Sequence, residues 1–130
     1  KQINSYKQRN IVDLAYNLAK KANKISHLNW VIAKIDLNNT EEMRSLAVGV
    51  SEHIDASVVI LGSIIKKKAT ILVLCSKKAV ELGHNAGTIV SSLSKKLDGK
   101  GGGKPDFAMG GGNNIKELEA VLNEFQIPKD

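Results

Sequence analysis

The chain is short of several residue types, and each shortage excludes something. Cys75 is the single cysteine among 130 residues, so no disulfide can form within the chain. A lone thiol points to a reducing compartment, the cytosol. In the apolar run Ile71-Leu72-Val73-Leu74-Cys75 it reads as a small buried side chain. The aromatics are only Tyr6, Tyr16, Trp30, Phe107 and Phe125, too few for a platform that stacks single-stranded bases. No apolar run approaches the ~20 residues that span a bilayer; the longest, 56–65, is cut by Ser57, Gly62 and Ser63, and no membrane partner is expected. His27, His53 and His84 fall on separate elements without metal-ligand spacing. Asp36, Asp55 and Asp106 belong to no triad or paired-carboxylate pattern. Lys1-Gln2-Ile3-Asn4 offers neither an initiating Met nor an apolar leader core, as expected of a piece of something longer.

Charge is present, and unevenly spread. The net charge is +2 over 1–63, +6 over 64–112 and −2 over 113–130. A cationic middle of this kind favours a polyanion as partner. Lys66-Lys67-Lys68 reads first as a solvated hairpin tip, and second as an extension of that cationic field.

The apolar spacing predicts an α/β fold built on a mixed sheet. Ile11, Leu14, Leu18, Ile25 and Leu28 follow a 3-4 spacing, which predicts one long helix over 5–28. That segment, 1–28, is expected to be helical and 29–130 to form the globular domain. Residues 30–37 are β-branched and read as a strand. Asn39 with Glu42 has capping-box spacing, opening a helix to about Ile54. Gly49 within that helix hints at close packing. Two nearly continuous apolar runs, 57–62 and 69–76, read as central strands. The link between them is too short for a crossover, so they pair antiparallel, whereas 37–57 is long enough for a right-handed βαβ connection. A long helix is expected over 77–97, with Gly83 and Gly87 admitting another backbone. A last helix begins at Asn113 or Asn114 and fades at Ile127-Pro128.

Seven of the eleven glycines lie within 99–112. A flexible linker would rarely place Pro105, Phe107 and Met109 between glycine triplets. A loop so free of side chains exposes amides that can wrap an anion, and Lys100 and Lys104 flank its first triplet. The spacing matches neither a nucleotide P-loop, since Asp98 and Pro105 stand where Gly and Ser/Thr are needed, nor a dinucleotide fingerprint.

The stretch Gly101-Gly102-Gly103-Lys104-Pro105-Asp106-Phe107-Ala108-Met109-Gly110-Gly111-Gly112 resembles the C-terminal signature of alanyl-tRNA synthetases, the glycine-rich motif of the DHH-associated domain. The order of elements from Trp30 onward is similar too. Met109 and Phe107 depart from the residues common there. The resemblance implies a binding module without catalysis of its own, gripping tRNA in the cytoplasm while the rest of the synthetase aminoacylates and edits. It implies no cofactor for this segment, with ATP and zinc confined to other domains, and a contribution to dimerisation in some members; the apolar stripe of the N-terminal helix is where a homodimer of this chain would form. Under that reading Lys100, Gly101, Gly102, Gly103, Lys104, Gly110 and Gly111, with Lys95 and Lys96 on the preceding helix, form the nucleic-acid-binding set. Two readings compete. One is the substrate-gripping half of a DHH phosphodiesterase, which would favour histidine where Lys104 stands. The other is an oligomerisation module centred on the first helix. Phe107 is left open between exposed contact and core.

Overall fold

A computed structural model describes residues 13–25, 28–35, 37, 39–54 and 56–125. Residues 13–20 are helical (α1). There follow β1 (Asn23–Ile25), β2 (Leu28–Lys34), α2 (Thr40–His53), β3 (Ser57–Ile65), β4 (Lys68–Cys75), α3 (Lys77–Glu81), α4 (Ala86–Lys96), β5 (Gly99–Gly103), β6 (Phe107–Gly112), a 3-10 turn at Ile115–Glu117 and α5 (Leu118–Glu124). The described strands form a six-stranded sheet of order β1-β2-β3-β4-β6-β5. Among them β2 and β3 are parallel, joined through α2; every other neighbouring pair is antiparallel. The mixed sheet and the βαβ crossover are thus as the sequence predicts.

Helices cover both faces, which explains why β3 is buried at all but Ile64. Alternation along the strands sorts the core in two. Val58, Ile60, Ile71 and Val73 face α3, α4 and α5, packing on Ala79, Val90, Leu93 and Leu118. Val59, Leu61 and Leu72 face the other way, onto Ala15 and Ala19 of α1 and Met43, Leu46 and Val50 of α2. Each fully buried aliphatic side chain contributes roughly 1.5–3 kcal/mol. A Cβ on Gly49 would come 3.0 Å from that of Ala15, the close packing its place in α2 suggested. Asn39 caps α2, its Oδ1 accepting from the Glu42 amide at 2.9 Å.

Four expectations are corrected. The first helix does not run to Leu28: it ends near residue 20, and Asn23–Ile25 pairs antiparallel with β2. Sheet pairing overrides the apolar spacing there. Its expected start, 5–12, lies outside the described residues, as do His27, Asp36, Asp55 and Ile127-Pro128. The helix over 77–97 is two helices. Gly83 takes φ +101, which closes α3, and Asn85 starts α4, its Oδ1 accepting from the Thr88 amide at 3.1 Å. Gly83 therefore turns the chain and meets no neighbour, whereas a Cβ on Gly87 would stand 3.0 Å from the Gly103 carbonyl oxygen. Asn114 gives no side-chain cap to the last helical segment; its amide donates instead to the Leu97 carbonyl at 3.1 Å.

The fourth correction matters most. Residues 99–112 form no loop but a β-hairpin, β5 and β6, at the edge of the sheet. Glycine weakens strands elsewhere; here α4 lies directly on the hairpin at Gly101 and Gly110 and leaves no room for side chains there. A Cβ on Gly101 would fall 2.5 Å from Val90 Cγ1 and 2.8 Å from Ser94 Oγ, and one on Gly110 only 2.4 Å from Ser94 Oγ.

Candidate nucleic-acid interface

Because β5 ends the sheet, one of its two sides has no partner strand among the described residues. The register decides which amides face that side. The Lys104 amide donates to the Phe107 carbonyl at 2.9 Å, so the pairs Gly102 with Met109 and Lys100 with Gly111 are the hydrogen-bonded ones. The peptide groups of Gly101 and Gly103 therefore point outward from the edge. Those of Gly110 and Gly111 lie within the ladders of β6, between β4 and β5. The stretch thus splits into an interior strand and an edge whose outward amides pair with no strand among the described residues.

Beside that edge runs an open groove of about 710 Å³, lined by Asn85, Gly87, Thr88, Ser91, Ser92, Lys95, Lys96, Gly102 and Gly103. One wall is the polar face of α4. The other is the backbone of Gly102 and Gly103 at the β5 edge. Lys95 and Lys96 are exposed and close the helix at its last turn, where the dipole also favours cations. Hydroxyls, amides and ammonium groups converging on an open groove make a surface suited to phosphates and sugars.

The structure brings four of the nine sequence-predicted residues into this groove: Lys95, Lys96, Gly102 and Gly103. Gly101 lies beside them on the same edge, its Cα against α4. Lys100 and Lys104 are exposed, but strand alternation sets Lys100 on the face away from α4, and Lys104 stands at the hairpin turn about 13 Å further along β5. Gly110 and Gly111 do not reach the groove. Sequence reasoning missed Asn85, Thr88, Ser91 and Ser92. Their signal was legible, since with Lys95 they recur every three or four residues along one face of a helix.

Phe107 settles between the two options left open for it. It is half-buried, packs against the α2-side core, and lies 5.2 Å beneath the Arg44 guanidinium. Cys75 is buried and lines a smaller hollow with Lys77, Val80, Glu81, Pro105 and Asp106. Burial, and then the Asp106 carboxylate, pushes its thiol up to about 11, so it is protonated at neutral pH and poorly suited to nucleophilic work. Among the described residues no group of three or more His, Cys, Asp or Glu is placed to hold a metal ion, and no helix is long and apolar enough to cross a membrane.

The DHHA1 domain family matches residues 27–126. The chain belongs to that family. Among curated relatives of this DHHA1 domain, the alanine–tRNA ligase of Opitutus terrae is 42% identical over 124 residues, covering 95% of this chain and 13% of the relative. That of Caldicellulosiruptor saccharolyticus is 39% identical over 111 residues, 85% of this chain and 12% of the relative. The chain thus spans about an eighth of the length of these relatives. In fold it is similar to the C-Ala domain of Aquifex aeolicus alanyl-tRNA synthetase, with a TM-score of 0.68 at 24% identity, over 78% of this chain and 91% of that one.

Proposed function

We propose that this DHHA1 domain is the tRNA-binding C-terminal module of a cytoplasmic alanine–tRNA ligase, holding tRNA(Ala) while the rest of the enzyme aminoacylates and edits it. The observation that carries the reading is the groove between α4 and the β5 edge, where Lys95 and Lys96 meet outward-facing glycine amides. The names of the relatives supply the partner, and the fold shared with a C-Ala domain supports the placement. On this account the module works by grip alone. The lysines neutralise phosphates, and the hydroxyls of Thr88, Ser91 and Ser92 and the amides of Gly101 and Gly103 fix register through oxygens of the sugar-phosphate backbone. Without Cβ atoms from Gly101 to Gly103, an RNA strand can lie against the peptide itself. Shape and phosphate recognition suits a folded RNA, whose helical bases are hard to reach. ATP and zinc chemistry belongs to other parts of such an enzyme.

Affinity for tRNA(Ala) transcript, measured by filter binding from about 50 to 200 mM salt, tests this. Each lost phosphate contact lowers the log–log salt slope by ~0.7–0.9. Lys95→Ala with Lys96→Ala should lower it by up to twice that, and Lys100→Ala with Lys104→Ala by less. An unchanged slope in the first pair would remove the groove from the RNA site.

A further inference from the structure

We infer that the β3–β4 hairpin tip, Lys66-Lys67-Lys68, is a second phosphate-binding arm, set at the same end of the sheet as Lys95, Lys96 and Lys100. The inference rests on the RNA-binding reading of this domain and extends it to a surface outside the groove.

The register places these groups together. Ala69, next to the tip, pairs with Gly112, which pairs in turn with Gly99, so the tip and the start of β5 are two strand spacings, about 10 Å, apart. The α4 end is tied to the same place, since the Asn114 amide donates to the Leu97 carbonyl at 3.1 Å. Lys66, Lys67, Lys68, Lys95, Lys96 and Lys100 are all exposed there. The Asp98 carboxylate also lies at this end, accepting from Asn114 Nδ2 at 3.5 Å.

The backbone adds an independent observation. Lys66 and Lys67 have φ of +52 and +66, making a two-residue turn with both central residues in the left-handed region. Asn-Gly is the favoured pair for that geometry, because it adopts positive φ at little cost. Two lysines there hold strain that a better turn sequence would relieve. A solvated tip gains nothing from that strain, whereas a tip that presents two ammonium groups to a phosphate backbone does. A flexible protein partner with acidic side chains would also meet such a tip, but its continuity with the groove lysines favours one polynucleotide crossing both.

The test is Lys66→Asn with Lys67→Gly in the 130-residue chain, bound to tRNA(Ala) transcript across a salt series. The variant removes two charges and improves the turn, so its melting temperature should equal or exceed that of the parent and misfolding cannot explain lost binding. The expected result is a slope lower by ~1.4–1.8 and roughly tenfold or more weaker binding near 100 mM salt. Lys66→Arg with Lys67→Arg should keep both. Wild-type slope and affinity in the Asn-Gly variant, while Lys95→Ala with Lys96→Ala weakens binding, would overturn this inference alone. No binding by the parent chain, or indifference to both pairs of changes, would overturn the RNA-binding reading and this inference with it.

Discussion

Replacing Gly110 by Ala tests whether the glycines of β5 and β6 are present for packing or for pliability. The new Cβ would lie 2.4 Å from Ser94 Oγ, 2.5 Å from Gly101 Cα and 2.7 Å from Val90 Cγ1. Gly101 Cα is backbone in the paired strand and cannot swing aside. Val90 is β-branched and held to one rotamer in a helix. Relief requires α4 to lift by about 1 Å, loosening Ala86, Leu93 and Leu97 in the core beneath. Overpacking of this kind costs about 1–3 kcal/mol; with three contacts at once the upper half, about 2–3 kcal/mol, is expected. For a chain of this size that lowers the melting temperature by roughly 6–15 °C, read by far-UV circular dichroism. Gly102→Ala is the matched control, for its Cβ meets nothing within 4 Å and the change should stay within about 0.5 kcal/mol of neutral. Ser94 Oγ is buried without a hydrogen-bond partner among the described residues, so Ser94→Ala should cost little and recover about 1 kcal/mol when combined with Gly110→Ala. If Gly110→Ala melts with the parent, or Gly102→Ala falls as far, the packing argument is wrong.

Cys75 should make stability sensitive to alkaline pH. Its folded pKa is raised from 9.0 to about 11, so the folded chain holds a proton that the unfolded chain releases. Its contribution to stability is therefore full below about pH 9 and is lost as pH rises from 9 towards 11, at roughly 1 kcal/mol for each pH unit crossed. Urea titrations of Cys75→Ala should lose that part of the decline, and iodoacetamide should label native Cys75 only slowly at pH 8. Asn85→Ala removes the cap of α4 at one end of the groove. It should cost about 1 kcal/mol in denaturant unfolding, with weaker tRNA binding as the first turn frays.

Much of this fold was legible because its signals are local. Loop lengths alone separate the parallel β2–β3 crossover from the antiparallel β3–β4 hairpin, and the Asn39 cap follows from one side chain and one spacing. The break between α3 and α4 was legible as well, in Gly83 and Asn85, a helix stop followed by a cap, but continuous apolar spacing masked it. The glycine hairpin was not legible from propensity. No strand scale favours Gly-Lys-Gly-Gly-Gly; α4 needs a surface without a Cβ at Gly101 and at its partner Gly110, and that demand comes from elsewhere in the chain. The candidate site shows the same division. Lys95, Lys96, Gly102 and Gly103 were named from charge and glycine content, but whether an amide points to the edge or into a ladder depends on register. That parity separates Gly101 and Gly103 from Gly110 and Gly111.

The groove itself can be examined residue by residue. In ¹⁵N-labelled protein titrated with tRNA(Ala) transcript, the amides of Gly101, Gly103, Thr88, Ser91, Lys95 and Lys96 should shift or broaden first, while Gly110, Gly111 and the α2 residues stay in place. Shifts confined to the α1–α2 face, with Gly101 and Gly103 unmoved, would contradict the account.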